Sequence, residues 1–317
     1  MDFFTHVVFG ALMYTLILKE ITFNYFLYAM FFAFLPDLDI FISPLKRVFK
    51  SNYFEHRSGS HSFFIGIVLS TIISSIYSVL KQQPFLILWI IGIIFYGIHV
   101  SLDLLNTTKI PCFYPISKKE YCFSVEKAGS SFTFLTSWIF IVSLLIVYHF
   151  FPDNTLLLFV INTYTYFILA YYFFRILTKI WVNSHLKENQ KYFPGVLPLY
   201  FFIYEKEILN DNILLRVEKR SHFKKTKVIY ENSEKLTEKE MILFKKGLEL
   251  CMENYYYSKW TVLPKILRSN DIISIRFFFL EPMIHSRAHY IQFDFDMKSE
   301  NLKGYNQSFG SIKVDIV

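Results

Sequence analysis

The sequence predicts a polytopic α-helical membrane domain followed by a small soluble α+β domain. Hydrophobic residues make up 53% of the 317-residue chain and aromatic residues 20%. Four runs contain no Asp, Glu, Lys or Arg, at 62–80, 84–102, 130–151 and 155–174. Each approaches the ~20 residues that cross a ~30 Å hydrocarbon layer. Charged residues become frequent from Asn183 onward, so we place the membrane domain at 1–182 and the soluble domain at 183–317.

Two shorter apolar stretches, 3–18 and 21–36, precede these four spans. At about 16 residues each they are at the lower limit for a span, so they form either two short spanning helices or a half-immersed hairpin. The chain enters and returns in both cases, so the sidedness of the later segments is the same. The first stretch is a poor signal peptide, because it lacks a basic n-region and a small-residue cleavage site.

The C-terminal domain has the composition of a water-exposed fold. Residues 183–317 carry 21 Lys and Arg and 17 Asp and Glu. Strand-like patterns occur at 213–217, 227–230, 272–280, 290–295 and 311–317. One helix is predicted to begin at Thr237, where TEKE has the sequence of a capping box. The combination predicts an α+β domain.

Basic residues predict which side of the membrane each loop occupies. Ten of the twelve Lys and Arg residues before residue 183 fall on one side of a six-segment topology. The ten are Lys46, Arg47, Lys50, Arg57, Lys109, Lys118, Lys119, Lys127, Arg175 and Lys179, and the other two are Lys19 and Lys81. Cytoplasmic loops of polytopic proteins carry an excess of Lys and Arg. The crowded side, with the N-terminus and the C-terminal domain, is therefore predicted to be cytoplasmic.

The net charge of +7 is explained by this membrane topology, so nucleic acid is not expected as the main partner. The basic stretch KRSHFKKTK at 219–227 is interpreted as a strand edge or a contact with lipid headgroups. The three cysteines, Cys112, Cys122 and Cys251, form neither a CxxC pair nor an even framework. They indicate reduced thiols rather than a disulfide scaffold.

Seven ionisable residues lie at the predicted cytoplasmic ends of the apolar segments. They are His6, Asp37, Asp39, His56, His61, His99 and Asp103. Such groups are costly at a membrane boundary unless they are paired or bind an ion, so their convergence predicts one shared site. Imidazole nitrogen and carboxylate oxygen are ligands of zinc and similar ions. We therefore predict a divalent metal site, most simply zinc, and leave the number of ions open.

Local spacing supports this ligand set. His99 and Asp103 are four residues apart, so on a helix they share a face, as two ligands of one ion should. His56 and His61 enclose Ser-Gly-Ser at 58–60, where small residues allow the backbone to fold closely around an ion.

Asp39 and Arg57 are also candidates for roles in catalysis. Asp37 and Asp39 follow Pro36, which separates them from the preceding helix, so one can bind the ion while the other orients a histidine. Arg57 can pair with a phosphate or carboxylate through its planar guanidinium. The alternative for Arg57 is a loop residue that serves topology alone.

Several motifs resemble the YdjM family of membrane-bound, metal-dependent hydrolases. They are THxxxG at 5–10, LPDLD at 35–39, HRSGSHS at 56–62, HxxLDxxN at 99–106 and YPISKKEYCFS at 114–124. That family is distantly similar to the zinc-dependent phospholipase C and single-strand nuclease superfamily, whose His and Asp ligands hold zinc and activate water on a phosphodiester. The resemblance covers residues 1–125 well. Two departures are Ser-Gly-Ser where the family tends to have Gly-x-Thr, and NTTKIP without the glycine that often follows HxxLD.

The sequence thus predicts a membrane-bound, zinc-type hydrolase at the cytoplasmic membrane surface. Its expected substrate is a phosphoester or a lipid-like molecule, attacked by metal-activated water. One alternative is a transporter of metal ions or small solutes, which would place His99 or Asp103 near the bilayer centre. Another is a membrane-tethered scaffold whose metal is structural and whose coordination sphere is closed. Beyond the lipid bilayer, the partner of the C-terminal domain is left open.

Overall fold

The structure is a computed structural model that describes residues 3–18, 22–42, 57–151, 154–209, 212–223, 225–253, 255–269, 271–284 and 286–312. The chain divides into two compact units, Met1–Ile176 and Leu177–Val317. The domain boundary expected after residue 182 stays a prediction.

The first unit is built from helices. In chain order they are α1 (Phe3–Ile17), α2 (Phe23–Phe34), a 3-10 turn (Leu35–Leu38), α3 (Asp39–Ile42), α4 (Phe63–Lys81), α5 (Phe85–Leu104), α6 (Ser131–Phe150) and α7 (Asn154–Asn183). Four of these are long and apolar enough to cross a membrane, namely α4, α5, α6 and Thr155–Asn183 within α7. The four predicted spans are therefore confirmed as helices that are long and apolar enough to cross a membrane. Helices α1 and α2, of 15 and 12 residues, are shorter than a bilayer span, and their insertion stays a prediction.

Helix α7 is longer than the apolar run that predicted it. The run ends at residue 174, whereas the helix continues to Asn183. Arg175, the first charged residue after the run, lies inside the helix and is 1% exposed. Its guanidinium makes two 3.1 Å hydrogen bonds to the Glu126 carboxylate, which also accepts from the Tyr171 hydroxyl. A buried cation in an apolar helix is tolerated here because a carboxylate pairs with it.

Helices α4 and α5 pack closely because α4 presents small residues to its neighbour. Gly66, Ser70 and Ser74 recur every four residues on α4 and are buried. This spacing lets two membrane helices approach each other. A Cβ atom added at Gly66 would lie 2.4 Å from the Tyr96 ring of α5, so the ring occupies the space of the missing side chain. Helix α2 covers the same region through a hydrogen bond of 2.7 Å between Tyr28 Oη and Ser74 Oγ.

The second unit contains two four-stranded antiparallel sheets. The first consists of β1 (Gln190–Pro194), β2 (Tyr200–Leu209), β3 (Asn212–Ser221) and β4 (Thr226–Lys235) in that order. Helices α8 (Glu238–Glu253) and α9 (Tyr255–Ser258) follow. The second sheet consists of β5 (Val262–Arg268), β6 (Ile272–Phe279), β7 (Arg287–Asp296) and β8 (Leu302–Ser311) in that order.

The predicted helix is confirmed together with its capping box. The Thr237 backbone N–H donates to Glu240 Oε2 at 2.9 Å, and the Glu240 N–H donates to Thr237 Oγ1 at 3.3 Å. Four predicted strands are confirmed within β3, β4, β6 and β7. The strand predicted at 311–317 is wrong at its start, because β8 ends at Ser311, and 313–317 lie outside the described residues. Strands β1, β2 and β5 and most of β8 were not predicted.

We expect Gly66→Ala to lower the thermal unfolding midpoint in detergent, because the new methyl group would displace a Tyr96 ring that is 1% exposed. The matched control is Gly97→Ala in α5, where no atom lies within 4 Å of an added Cβ. The control should be neutral or slightly stabilising, because Ala is favoured over Gly in a helix by about 1 kcal/mol. Equal midpoints for the two variants would contradict the close approach of α4 and α5.

Candidate metal centre

Three chain segments bring the candidate ligands together in the first unit. Asp37 lies in the 3-10 turn after α2, where Pro36 stands at the start of the turn and keeps α2 from continuing. His61 ends the short turn at 57–61, before Ser62 caps α4 by accepting from Phe64 N–H at 3.2 Å. His99 and Asp103 lie on the last turns of α5, as the i, i+4 spacing predicted.

Four of these side chains could hold one metal ion. The ligand atoms of Asp37, His61, His99 and Asp103 all lie within 4.8 Å of one another. His61 Nε2 is 3.1 Å from Asp103 Oδ2 and 3.4 Å from His99 Nε2. Its distance to Asp37 Oδ1 is 3.5 Å. Ligands at ~2.1 Å from a tetrahedral ion are about 3.4 Å apart, so these spacings match a shared ion.

Hydrogen bonds turn the coordinating nitrogen of both histidines toward this centre. His99 Nδ1 lies 2.7 Å from the carbonyl oxygen of Ala33. Because a carbonyl can only accept, Nδ1 carries the hydrogen and Nε2 keeps its lone pair. His61 Nδ1 faces Asp39 Oδ2 at 3.4 Å and Ser60 Oγ at 3.1 Å, which directs Nε2 toward the same centre. Metal-bound histidines in proteins almost always donate their second nitrogen in this way.

Asp39 lies behind His61 rather than among the four grouped side chains. Its Oδ2 accepts from the Arg57 backbone N–H at 3.0 Å and from Ser60 Oγ at 2.5 Å. Arg57 has a positive φ of 61°, so Asp39 also fixes a turn of unusual backbone conformation. The arrangement gives Asp37 the position of a ligand and Asp39 the position of a residue that orients His61. These are the two roles that the sequence left open for the pair.

Asp103 is in contact with residues from several parts of the site. Its Oδ1 accepts from Asn106 Nδ2 at 2.7 Å and lies 3.3 Å from His6 Nε2. Its Oδ2 lies 3.6 Å from Arg57 Nε and faces the two ligand histidines. Asn106 is the last residue of the HxxLDxxN motif, so the motif supplies both the carboxylate and the amide that holds it.

His6 lies against the four-residue group without belonging to it. Its ring stacks on His99 with 3.8 Å between ring centroids, and it is 1% exposed. Neither ring nitrogen makes a hydrogen bond with a described residue. A buried imidazole without such bonds is available for a further ligand. The predicted ligand His56 lies outside the described residues.

The charge balance of the site favours a cation. Among its described residues the site has three carboxylates, those of Asp37, Asp39 and Asp103, and one guanidinium, that of Arg57, whose Nε lies 3.6 Å from Asp103 Oδ2. Burial lowers the pKa of His61, but contacts with the three carboxylates outweigh it and raise this pKa to about 10. Burial raises the pKa of Asp37, whereas contacts with the two ligand histidines hold it well below its ordinary range. The centre therefore attracts positive charge, as a divalent ion would supply.

Exposure differs among the described residues of the site. The side chains of Asp37 and Arg57 are each 12% exposed, whereas those of His61 and Asp103 are at most 1% exposed.

The loop between α5 and α6 fixes the end of α5, which carries His99 and Asp103, and the start of α4, which follows His61. Its segment 123–126 pairs with the end of α5, through Phe123 N–H to Leu104 O at 2.6 Å and Glu126 N–H to Leu105 O at 2.9 Å. The same loop holds the start of α4, where Phe63 N–H donates to Cys112 O at 3.0 Å. Tyr96 adds a hydrogen bond from its hydroxyl to the carbonyl of Ser60.

Sequence reasoning missed this supporting framework. Ser60 and Tyr96 are ordinary residues by type, and their importance arises from contacts that span 21 to 36 residues. Glu126 offered a weak indication, because it is a lone carboxylate close to the membrane boundary. Its partner Arg175 had been interpreted only as a topology residue.

Substitutions of the candidate ligands and of the orienting residue Asp39 should affect metal binding to different degrees. Asp103→Asn and His99→Ala each remove a ligand, so protein purified in detergent should lose its bound metal. Asp39→Asn removes only an orienting carboxylate and should weaken metal affinity by about 10–100-fold. The control is His149→Ala, an exposed histidine of α6, which should keep full occupancy. Elemental analysis provides the measurement, and full occupancy in Asp103→Asn and His99→Ala would exclude this centre.

Comparison with known proteins agrees with the membrane architecture. The family model described as YdjM inner membrane protein matches residues 1–182, which include every described residue of the candidate centre. Neither the curated proteins nor the solved structures gave a match. Since the family model covers more than half of the chain and the four candidate spans lie within or begin within it, this protein belongs to the YdjM inner membrane protein family.

Proposed function

We propose that this protein is a membrane-bound, metal-dependent hydrolase that acts on a phosphoester or lipid-like substrate. The observation that carries the proposal is the group of Asp37, His61, His99 and Asp103, whose histidines are oriented through their second nitrogens. Two histidines and two carboxylates suit zinc, although the same donors bind other divalent ions. When bound, such an ion acts as a Lewis acid and makes a water molecule nucleophilic near neutral pH.

The residues around that ion would have separate roles. Asp39 keeps the His61 ring in one tautomer and orientation, and Asn106 does the same for the Asp103 carboxylate. Arg57 is partly exposed, and its Nε lies 3.6 Å from Asp103 Oδ2. A guanidinium in this position can pair with an anionic substrate group through two parallel hydrogen bonds.

The location of the ligands supports hydrolysis at the membrane surface over transport. Asp103 is the penultimate residue of α5, and His99 lies one turn before it. A transport pathway would need ionisable groups near the middle of the spans. We further propose that this surface is the cytoplasmic one, because the positive-inside rule assigns ten of twelve basic residues to that side.

The proposal is tested by measuring hydrolysis and metal content on the same preparations. Wild-type protein in detergent or nanodiscs should cleave a phosphodiester or a lipid ester, and a chelator should abolish the activity. We expect Arg57→Lys to keep its metal while its turnover of an anionic substrate falls by about 10-fold or more, because Lys lacks the planar fork. The matched control is Arg287→Lys on an exposed end of β7, which should change neither quantity.

The possible outcomes separate the candidate functions. Wild-type protein that holds metal but cleaves neither class of ester would overturn the hydrolase proposal and favour a structural metal. Loss of metal in Arg57→Lys would place the guanidinium in the metal centre rather than at the substrate.

A further inference from the structure

One end of the first sheet in the second unit carries two neighbouring turns with exposed apolar side chains. Tyr200 pairs with Ser221, so the turn at 195–199 and the turn after Ser221, described at 222, 223 and 225, lie at the same end of the sheet. A hydrogen bond of 3.4 Å from His222 N–H to Leu199 O joins them. We call these two turns the paired turns.

The exposed residues of the paired turns are large and apolar. Phe223 is 74% exposed, Leu199 53% and Leu197 42%. Local bonds hold the Phe223 turn in place, since Ser221 N–H donates to Lys225 O at 2.8 Å and Phe223 N–H donates to Ser221 Oγ at 3.2 Å. The side chain of Phe223 is therefore presented outward on a closed turn.

A glycine at position 195 allows the turn at 195–199 to close tightly. A Cβ atom added at Gly195 would lie only 2.3 Å from the carbonyl oxygen of Tyr200. The chain therefore requires glycine at the position that brings Leu197 and Leu199 to the same end as Phe223.

Charge is distributed unevenly along this sheet. Residues 195–200 and 219–228 contain four lysines and one arginine and no Asp or Glu. The opposite half of the strands is of mixed charge, with Glu205, Glu207, Glu231 and Glu234 beside Lys206, Arg216 and Lys235. Basic charge is thus concentrated at the apolar end of the sheet, and an anionic surface would attract this end.

We propose that the paired turns insert their apolar side chains into the surface of an anionic lipid bilayer. Exposed Phe and Leu beside Lys and Arg fit the boundary between headgroups and acyl chains. The chain itself supplies such a surface, because the first sheet follows directly after α7, a helix long and apolar enough to cross a membrane. A bilayer explains both the apolar tips and the basic flank, whereas nucleic acid would explain only the basic residues.

The test uses the full-length protein in nanodiscs of either neutral lipid or lipid with an anionic fraction. An environment-sensitive fluorophore is attached at Phe223→Cys in a Cys122→Ser background, because Cys112 and Cys251 are buried. In anionic nanodiscs we expect the emission to shift to shorter wavelength and to be quenched by spin-labelled lipid. Neutral nanodiscs should give a smaller effect.

Two further positions provide the controls. A label at Leu197→Cys should respond like the one at residue 223, so that a folding defect in one variant does not decide the result. A label at Ser233→Cys is exposed in the opposite half of β4 and should stay in a water-like environment. The proposal would be overturned if the labels at 223 and 197 had the same emission wavelength and quenching as the label at 233 in both kinds of nanodisc. A change that occurs only when an oligonucleotide is added would overturn it in favour of nucleic-acid binding.

Discussion

The buried carboxylate of Asp103 is the group on which the arrangement of the first unit depends. At 1% exposure it has lost its hydration, which costs several kcal/mol unless other groups replace the water. His61, Asn106 and Arg57 surround it at 2.7 to 3.6 Å. His61 and Arg57 come from the turn at 57–61, whereas Asn106 follows the end of α5, so keeping the charge stable requires that this turn and this helix end meet. A divalent ion would complete this compensation.

The fold supplies the rigidity that such a centre needs. Small residues on α4 allow close contact with α5, and this contact holds Tyr96 where its hydroxyl supports the turn that carries His61. The α5–α6 loop binds the start of one helix and the end of the other. The last part of this loop is held by the buried ion pair of Glu126 and Arg175. The ligands are thus presented by backbone that is fixed from several sides, as precise metal coordination requires.

The parts of this account that follow from sequence have simple physical signatures. Uncharged runs of nearly 20 residues predict membrane spans because the thickness of the bilayer sets their length. Histidines and aspartates at the ends of those runs are conspicuous because they are costly there. The spacing of His99 and Asp103 then follows from the helical period. These three facts led to the four side chains that the structure groups together.

Other features depend on contacts that no local pattern contains. The extension of α7 beyond residue 174 could not be predicted, because Arg175 resembles a helix end until Glu126 is known to neutralise it. Strand β8 was missed because most of its side chains are exposed and polar, so backbone pairing with β7 defines it rather than an apolar alternation. The separate roles of Asp37 and Asp39 likewise became visible only when the position of His61 was known.

The central claim is that imidazole and carboxylate groups of the first unit bind one divalent ion. X-ray absorption spectroscopy at the absorption edge of the bound metal tests it most directly on purified protein. The account predicts a first shell of nitrogen and oxygen at ~2.0–2.2 Å, with the outer-shell scattering of at least two imidazole rings. A shell with sulfur at ~2.3 Å, or one without imidazole scattering, would contradict it.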